Sequence, residues 1–231
     1  MYADSTADPT GTQLLLDGVL PEFGYSRLES VAIAAAPPVT YEAARTLDLL
    51  TVHSPLLNAA MWARGLPDRL RGRPEPTPPT LRVADLFDTP GEAWGDQPWV
   101  ALGENPGREL VFGAVGKPWQ ASIEWRRVGS QDFTPFDESG WAKMAAALVV
   151  HSYGTHRSLL TYEARTACTD PAADDRFGRY WALVSPGVGV VLRGTLHAVR
   201  KAAEQRARPD AKVLREHHTS PSGEHRHRPC R

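Results

Sequence analysis

The stretch that decides the fold is DPAADDRFGRYWALVSPGVGVVLRGTLHAVRKAA, residues 170–203. Its apolar residues recur at three-to-four spacing, which predicts one long amphipathic helix. They are Phe177, Trp181, Val184, Val188, Val191, Leu192, Thr195, Leu196, Val199, Ala202 and Ala203. Asp170 and Pro171 predict the helix start, because aspartate caps free backbone N–H groups and proline suits the first turn. Pro209 predicts that the helix ends near Arg208.

Short segments rich in β-branched and aromatic residues precede this helix. They are TLRVADLF (80–87), QPWVALGE (97–104), RELVFGAV (108–115), ASIEWRRV (121–128) and the two arms of GWAKMAAALVVHSYGTHRSLLTYEARTACT (140–169). ENPGRE (104–109) is typical of a turn, and Tyr153–Gly154 predicts the tip of a long hairpin. Successive hairpins indicate an antiparallel sheet.

The first part of the chain alternates between the two regular structures. YSRLESVAIAAAPP (25–38) predicts a strand centred on Leu28 to Ala34 and ended by two prolines, and VTYEAARTLDLL (39–50) predicts a helix. Ser54–Pro55 predicts the start of a second helix, and the proline-rich 69–80 predicts a loop inside the domain. The predicted order is therefore a strand, two short helices, about six antiparallel strands and one long helix, an α+β arrangement.

The segment around Gly113, Gly116 and Lys117 invites comparison with a phosphate-binding loop. A Walker A loop requires a glycine at position 111 and a hydroxyl residue at 118, where this chain has Val111 and Pro118. No helical period follows the lysine. The segment is instead interpreted as a buried strand that bends at its glycines.

Composition limits the classes of protein that the chain can represent. A chain of 231 residues with 26 basic and 27 acidic residues has no overall field to recruit nucleic acid or membranes. Two cysteines, Cys168 and Cys230, are too few for a disulfide framework. The polar, acidic N-terminus is unlike a signal peptide, and the apolar runs are shorter than the ~20 residues of a membrane span. We expect a cytoplasmic protein without membrane insertion.

Five stretches carry a resemblance to a known family. They are SVAIAAAPPVTYEAARTLDL (30–49), ELVFGAVGKPW (109–119), FDESGWAKM (136–144), LLTYEARTAC (159–168) and DDRFGRYWALVSPGVGVVLRGTLHAVRKAA (174–203). In them the chain resembles the START-like, helix-grip superfamily (SRPBCC, polyketide cyclase-like), and bacterial proteins within it. The resemblance implies a curved antiparallel sheet wrapped around the long C-terminal helix. It predicts a helix-grip domain over 14–206, between a flexible segment 1–13 and a disordered, basic and histidine-rich tail 207–231.

The same resemblance implies a deep, mostly apolar cavity between the sheet and the long helix. The side chains expected nearest to it, and therefore expected to bind a ligand, are Trp119, Trp125, Trp141, Trp181, Val184 and Val188. The expected partner is a small hydrophobic molecule of lipid or polyketide type. For any single aromatic residue, a place in the core stays open as the alternative.

Four residues are candidates for proton transfer in such a cavity. Glu163 and Arg165 are two apart on one face of a strand, and Tyr162 takes the other face. Alternation favours Tyr162 as the inward residue, which leaves a surface ion pair as the alternative for Glu163 and Arg165. Lys143 is a lone charge in an apolar run, where burial would lower its pKa. The equally favoured alternative is that its side chain extends to solvent from the beginning of the strand.

Other signatures of chemistry are missing from the sequence. The histidines lack metal-ligand spacing, and neither a G-x-S-x-G nor a C-x-x-C motif occurs, so no metal and no cofactor is expected. Three hypotheses follow: a protein that binds a hydrophobic ligand, an enzyme of the cyclase/aromatase type that uses the same cavity, and a protein-interaction module. No specific nucleic acid is expected as a partner.

Overall fold

Six antiparallel strands form one curved sheet, and a long helix lies across one face of it. The computed structural model describes residues 13–48, 82–88 and 98–218, and for 209–218 the backbone alone. The strands are β1 (Tyr25–Ile33), β2 (Val100–Asn105), β3 (Glu109–Lys117), β4 (Glu124–Arg126), β5 (Ala142–Ser152) and β6 (Ser158–Cys168). The helices are α1 (Leu15–Val19), α2 (Pro37–Arg45), α3 (Val83–Asp88), α4 (Ser130–Phe133) and α5 (Pro171–His218).

The strand order is β1-β6-β5-β3-β2, and β4 continues the edge of the sheet along the end of β3. The predicted turn at 104–109 joins β2 to β3, and the predicted long hairpin is β5–β6. Gly107 and Gly154 have φ values of 81° and 72°, a backbone conformation that glycine adopts without steric cost. The α+β class and the helix-grip arrangement that the sequence predicts are confirmed.

The two faces of the sheet are buried by different elements. On the inner face, Leu148, Val150 and Leu160 pack against α2 and the second half of α5. On the outer face, Val111, Ala147 and other residues of β3 and β5 pack against α1 and Phe133 of α4. Because both faces of β3 and β5 are covered, these strands read in the sequence as continuous apolar runs instead of alternating ones.

A buried carboxylate fixes α1 on the outer face. Glu109 of β3 is 1% exposed and accepts hydrogen bonds from the backbone N–H groups of Leu15 (3.0 Å) and Leu16 (3.3 Å). These N–H groups belong to the first turn of α1 and have no partner inside the helix. The carboxylate therefore satisfies them and holds the helix against the sheet.

The long helix begins where the sequence predicts. The Oδ1 atom of Asp170 accepts a hydrogen bond from the N–H of Ala173 at 2.8 Å. Backbone hydrogen bonds from Ala173 and Gly140 keep the pKa of the Asp170 carboxyl below its usual value. The helix is continuous through Pro186, and it also continues past Pro209 to His218, so the predicted end near Arg208 is wrong. One proline removes one backbone hydrogen bond, and the helical geometry on either side of it persists.

Part of α5 is strongly apolar. A window within Pro171–Arg208 is long and apolar enough to cross a membrane by length and composition, and 28% of that window is buried inside the protein. Phe177, Leu192, Leu196 and Val199 of the same helix lie in the core.

The predicted strand at 80–87 is wrong, because residues Val83–Asp88 form α3. Its buried residues Val83, Ala84 and Leu86 lie on one side of a short helix, and Asp88 at its end pairs with Arg45 of α2 at 2.5 Å. Five strands therefore follow the helices in the described part of the chain, one fewer than predicted. The short helices α1 and α4 were not predicted.

Several predictions concern segments that the structure does not describe. The helix start at Ser54–Pro55 and the loop at 69–80 lie outside the described residues, as do 1–12 of the N-terminal segment and 219–231 of the tail. The domain boundaries stay predictions.

Gly113 provides a test of the packing between β3 and the outer face. A Cβ atom at this position would lie 2.6 Å from Leu102 Cδ1 and 2.7 Å from the backbone oxygen of Met144. Because the backbone cannot yield cheaply, we expect Gly113→Ala to lower the free energy of unfolding by about 1–3 kcal/mol in urea denaturation. Gly18→Ala in α1, where nothing lies within 4 Å, is the matched control and should not destabilise. Equal stability of the two variants would contradict this packing.

Candidate ligand-binding site

A cavity of about 200 Å³ lies between the inner face of the sheet and the first half of α5. Its lining is formed by Trp99, Pro118, Met144, Ala145, Ala146, Ala164, Arg165, Thr166, Phe177, Tyr180, Trp181, Val184 and Val188. The side chain of Arg165 bonds to groups on the outer face, so Arg165 lines the cavity through its main chain. The lining is therefore predominantly apolar, as in sites for small organic ligands.

An aromatic cluster closes the end of the cavity nearest to the start of α5. The ring centroid of Phe177 lies 4.7 Å from that of Tyr25, 5.9 Å from Trp181 and 6.4 Å from Trp119. A Cβ atom on Gly178 would lie 2.9 Å from the Tyr25 hydroxyl oxygen, so a glycine is needed for the helix to approach the ring this closely. These contacts fix the rings that border the cavity.

The sheet side of the cavity owes its space to small residues. Ala146 and Ala164 are paired across β5 and β6, and Met144 and Thr166 form the next pair on the same face. Among the described residues, no group bonds to the Thr166 hydroxyl, which is therefore available to a ligand. A flexible thioether beside two alanines makes this wall adaptable in shape.

Tyr162 is the one catalytic candidate on the inner face. It is paired with Leu148 of β5 and Glu29 of β1, and its ring centroid lies 6.5 Å from that of Phe112. Burial raises the pKa of the Tyr162 phenol to about 12. At neutral pH the phenol is therefore protonated, and it can donate a hydrogen bond but cannot act as a base.

The side chains of the other three catalytic candidates lie on the outer face of the sheet, on the side opposite to the cavity. Lys143 donates a hydrogen bond to the backbone oxygen of Thr134 at 2.8 Å, and burial lowers the pKa of its ammonium group. Glu163 accepts a hydrogen bond from Nε of Arg165 at 2.7 Å, and Arg165 also pairs with Asp17 at 2.8 Å. The structure thus separates Tyr162 from Lys143, Glu163 and Arg165 by the thickness of the sheet.

The predicted ligand-binding residues are divided in the same way. Trp181, Val184 and Val188 line the cavity, and Trp119 contacts Phe177 at its border. The ring of Trp125 packs on Gly116, where an added Cβ atom would lie 2.6 Å from it. Trp141 belongs to the outer face, where its ring lies 4.1 Å from the Lys117 ammonium group.

Sequence reasoning missed Trp99, Met144 and Tyr180. Trp99 precedes β2, and its ring centroid lies 5.8 Å from that of Phe112 on the inner face. Tyr162 is paired with Leu148 of β5, and residues two apart on a strand point to the same face of the sheet. Alternation along β5 therefore places Met144 on the same face as Leu148 and could have identified it. Tyr180 lies next to Trp181, and its place at the cavity depends on the orientation of the helix.

The side chains that could support nucleophilic or metal chemistry do not form a site. Burial, together with the charges of Asp174 and Asp170, raises the pKa of the Cys168 thiol to about 12, which keeps this thiol protonated and unreactive. Within the described ranges, no three histidine, cysteine or acidic side chains come together as metal ligands would.

The chain is similar in fold to several solved structures, at low sequence identity. No family model and no curated protein sequence matches the chain. Among solved structures, it is similar to truncated norcoclaurine synthase from Thalictrum flavum, with 12% identity over 79% of this chain and 92% of that one, and a TM-score of 0.36.

Two further matches are solved structures of aromatase/cyclase proteins. The di-domain ARO/CYC BexL from the BE-7585A biosynthetic pathway is 12% identical over 78% of this chain and 47% of that one, with a TM-score of 0.34. The Zhui aromatase/cyclase from Streptomyces sp. R1128 is 13% identical over 79% of this chain and 95% of that one, with a TM-score of 0.30. At these scores and identities the likeness carries no argument about function.

The strand order, the helices after β1 and the long helix over the inner face define the class of protein. The chain has the helix-grip fold that the sequence predicts, a curved antiparallel sheet with a long C-terminal helix across one face. Its distinguishing feature is the small apolar cavity under the first half of α5.

The pKa of Tyr162 can be tested by titration. In the unfolded chain the Tyr162 phenol loses its proton near pH 10, whereas in the folded protein it does so at about pH 12. Between these values the folded state holds a proton that the unfolded state has lost, so the free energy of unfolding should fall as the pH rises. Tyr162→Phe should reduce that fall and remove tyrosinate absorbance that appears near pH 12. Tyr153→Phe, which removes a 50% exposed phenol, controls for the absorbance of one tyrosine. A Tyr162 signal below pH 10 would contradict this assignment.

Proposed function

We propose that this protein binds a small hydrophobic molecule in the cavity between the sheet and α5. The observation that carries the proposal is the composition of the lining, in which aromatic rings and aliphatic side chains enclose space next to very few polar groups. Burial of an apolar ligand there would release water from both surfaces, at roughly 25 cal/mol per Å² of apolar area.

The dimensions of the cavity favour a compact, ring-containing ligand. A volume of about 200 Å³ is below the ~300–1,000 Å³ of pockets for drug-sized molecules. Trp99 and Trp181 present aromatic surfaces on which a flat molecule can stack, and the thioether of Met144 adapts to its edge. A molecule of one or two fused rings fits these walls better than a long acyl chain.

Binding is favoured over catalysis by the distribution of titratable groups. Of the four candidates for proton transfer, Tyr162 alone faces inward, and its raised pKa suits it to donate a hydrogen bond. Cyclase or aromatase chemistry also needs a group that accepts a proton at neutral pH. Tyr162 lies on the inner face outside the set of lining residues, and the described lining residues include no evident base, so the enzyme hypothesis lacks a proton-transfer pair at the cavity.

Filling the cavity tests the proposal directly. Ala164→Leu adds three carbon atoms to the cavity wall, and Val188→Phe adds four from the opposite side. Isothermal titration calorimetry with the neutral probe naphthalene-2-carboxamide should show binding to the wild type and at least roughly tenfold weaker binding to each variant, because the probe and the new side chain compete for one space.

The matched control is Ala182→Leu, which makes the same change on the exposed face of α5. It should bind the probe like the wild type, and thermal unfolding should show that all the variants are folded. Unchanged affinity in both filled variants would overturn the cavity as the binding site. Native mass spectrometry of the protein from its own host would then identify whatever molecule it carries.

A further inference from the structure

Three charged side chains meet on the inner face where β1 lies under α5. Glu29 accepts hydrogen bonds from Nε (3.0 Å) and Nη2 (2.8 Å) of Arg27, and from Nη1 of Arg193 at 2.6 Å. All three bonds end on the same carboxylate oxygen, Oε1. Glu29 is the more enclosed member of the cluster, with 17% of its side chain exposed against 38% for Arg27 and 46% for Arg193.

The charges of this cluster do not cancel. Two guanidinium groups share one carboxylate, and among the described residues no second acidic side chain forms an ion pair with Arg27 or Arg193. A guanidinium has five N–H donors, so each arginine keeps donors beyond those that Glu29 accepts. The cluster therefore carries one excess positive charge and unused N–H groups.

The cluster borders the cavity. On β1, Arg27 is paired with Ala164, which lines the cavity, and Glu29 is paired with Tyr162. On α5, a Cβ atom at Gly189 would lie 2.8 Å from Nη2 of Arg27, and Gly189 directly follows Val188, the last lining residue of the helix. None of the three charged residues lines the cavity itself, and the cluster lies directly next to the lining, beside Ala164 of β6 and Val188 of α5.

We propose that the ligand is a carboxylic acid, whose apolar ring system fills the cavity and whose carboxylate pairs with Arg27 and Arg193. The proposal rests on the proposed function and adds the chemical class of the ligand. A planar carboxylate matches the fork of N–H groups on a guanidinium, which makes arginine the residue suited to this contact.

The partial exposure of both arginines limits the gain from this contact. Water competes for exposed guanidinium groups, and salt screens them. We therefore expect the acid to bind about tenfold more tightly than a neutral molecule of the same shape, with a difference that shrinks at high salt.

Two naphthalene probes of the same shape separate the two proposals. Naphthalene-2-carboxylate and naphthalene-2-carboxamide are compared by isothermal titration calorimetry on the wild type, at low and at high salt. We expect the carboxylate to bind more tightly at low salt. Absence of binding by both probes would overturn the cavity proposal itself, whereas equal affinity for the two would overturn only the acid-binding end.

Two variants test the role of Arg27 in different ways. Arg27→Met removes the charge, and Gly189→Ala keeps every charge while its methyl group displaces the guanidinium, which is the movable end of a flexible side chain. Each variant should bind the carboxylate probe about tenfold more weakly than the wild type and bind the carboxamide probe with unchanged affinity. The matched control is Arg126→Met, which should alter neither affinity. Arg126 is an exposed arginine of β4 that pairs with Glu138.

The pattern across the probes decides the outcome. A loss of carboxylate affinity in Arg27→Met and Gly189→Ala but not in Arg126→Met supports the proposal. An equal loss for both probes would mean that Arg27 acts by shaping the cavity, and would overturn the ion pair. A carboxylate affinity that survives in Arg27→Met would overturn it as well.

Discussion

The close approach of α5 to β1 is the constraint on which the rest of the structure depends. Gly178 and Gly189 lie three turns apart on the helix, and a Cβ atom on either would come within 3 Å of Tyr25 or Arg27. Because Gly178 has no side chain, the helix backbone can rest on the packed Tyr25 ring, whereas at Gly189 the neighbour is the movable guanidinium of Arg27. The helix then covers the β1–β6 edge of the sheet, and the space toward β5 and Trp99 is left as the cavity.

The division of the sheet into two faces determines what each polar residue does. Charged groups on the outer face serve the structure: Glu109 holds α1 in place, and Arg165 ties β6 to Asp17. On the inner face, the charged groups gather at Arg27, Glu29 and Arg193, beside the apolar cavity. One side of the sheet is thus stabilised by closed ion pairs, while the other retains uncompensated charge next to open space.

Much of the fold follows from the sequence, because long periodic segments report their own structure. The stripe of α5, the Asp170 cap and the β5–β6 hairpin were predictable from local patterns. The helix at Val83–Asp88 was not, since a short segment with apolar residues such as Val83, Leu86 and Phe87 suits either structure. The site was predicted less completely. Alternation along β6 correctly assigned Tyr162 inward, but it could not show that Trp141 turns to the outer face or that Trp99 reaches the cavity, because each depends on pairing with distant strands.

The proline in the middle of α5 makes the helix easier to bend at the wall of the cavity. Pro186 has no N–H to donate, so the carbonyl oxygen of Ala182 lacks its usual partner one turn later. Gly187 and Gly189 follow at once, and Val184 and Val188 on either side form the cavity wall. The wall is therefore made of the stretch of helix that bends at the lowest cost. Local flexing of this stretch would change the width of the cavity while the sheet and both ends of the helix stay in place.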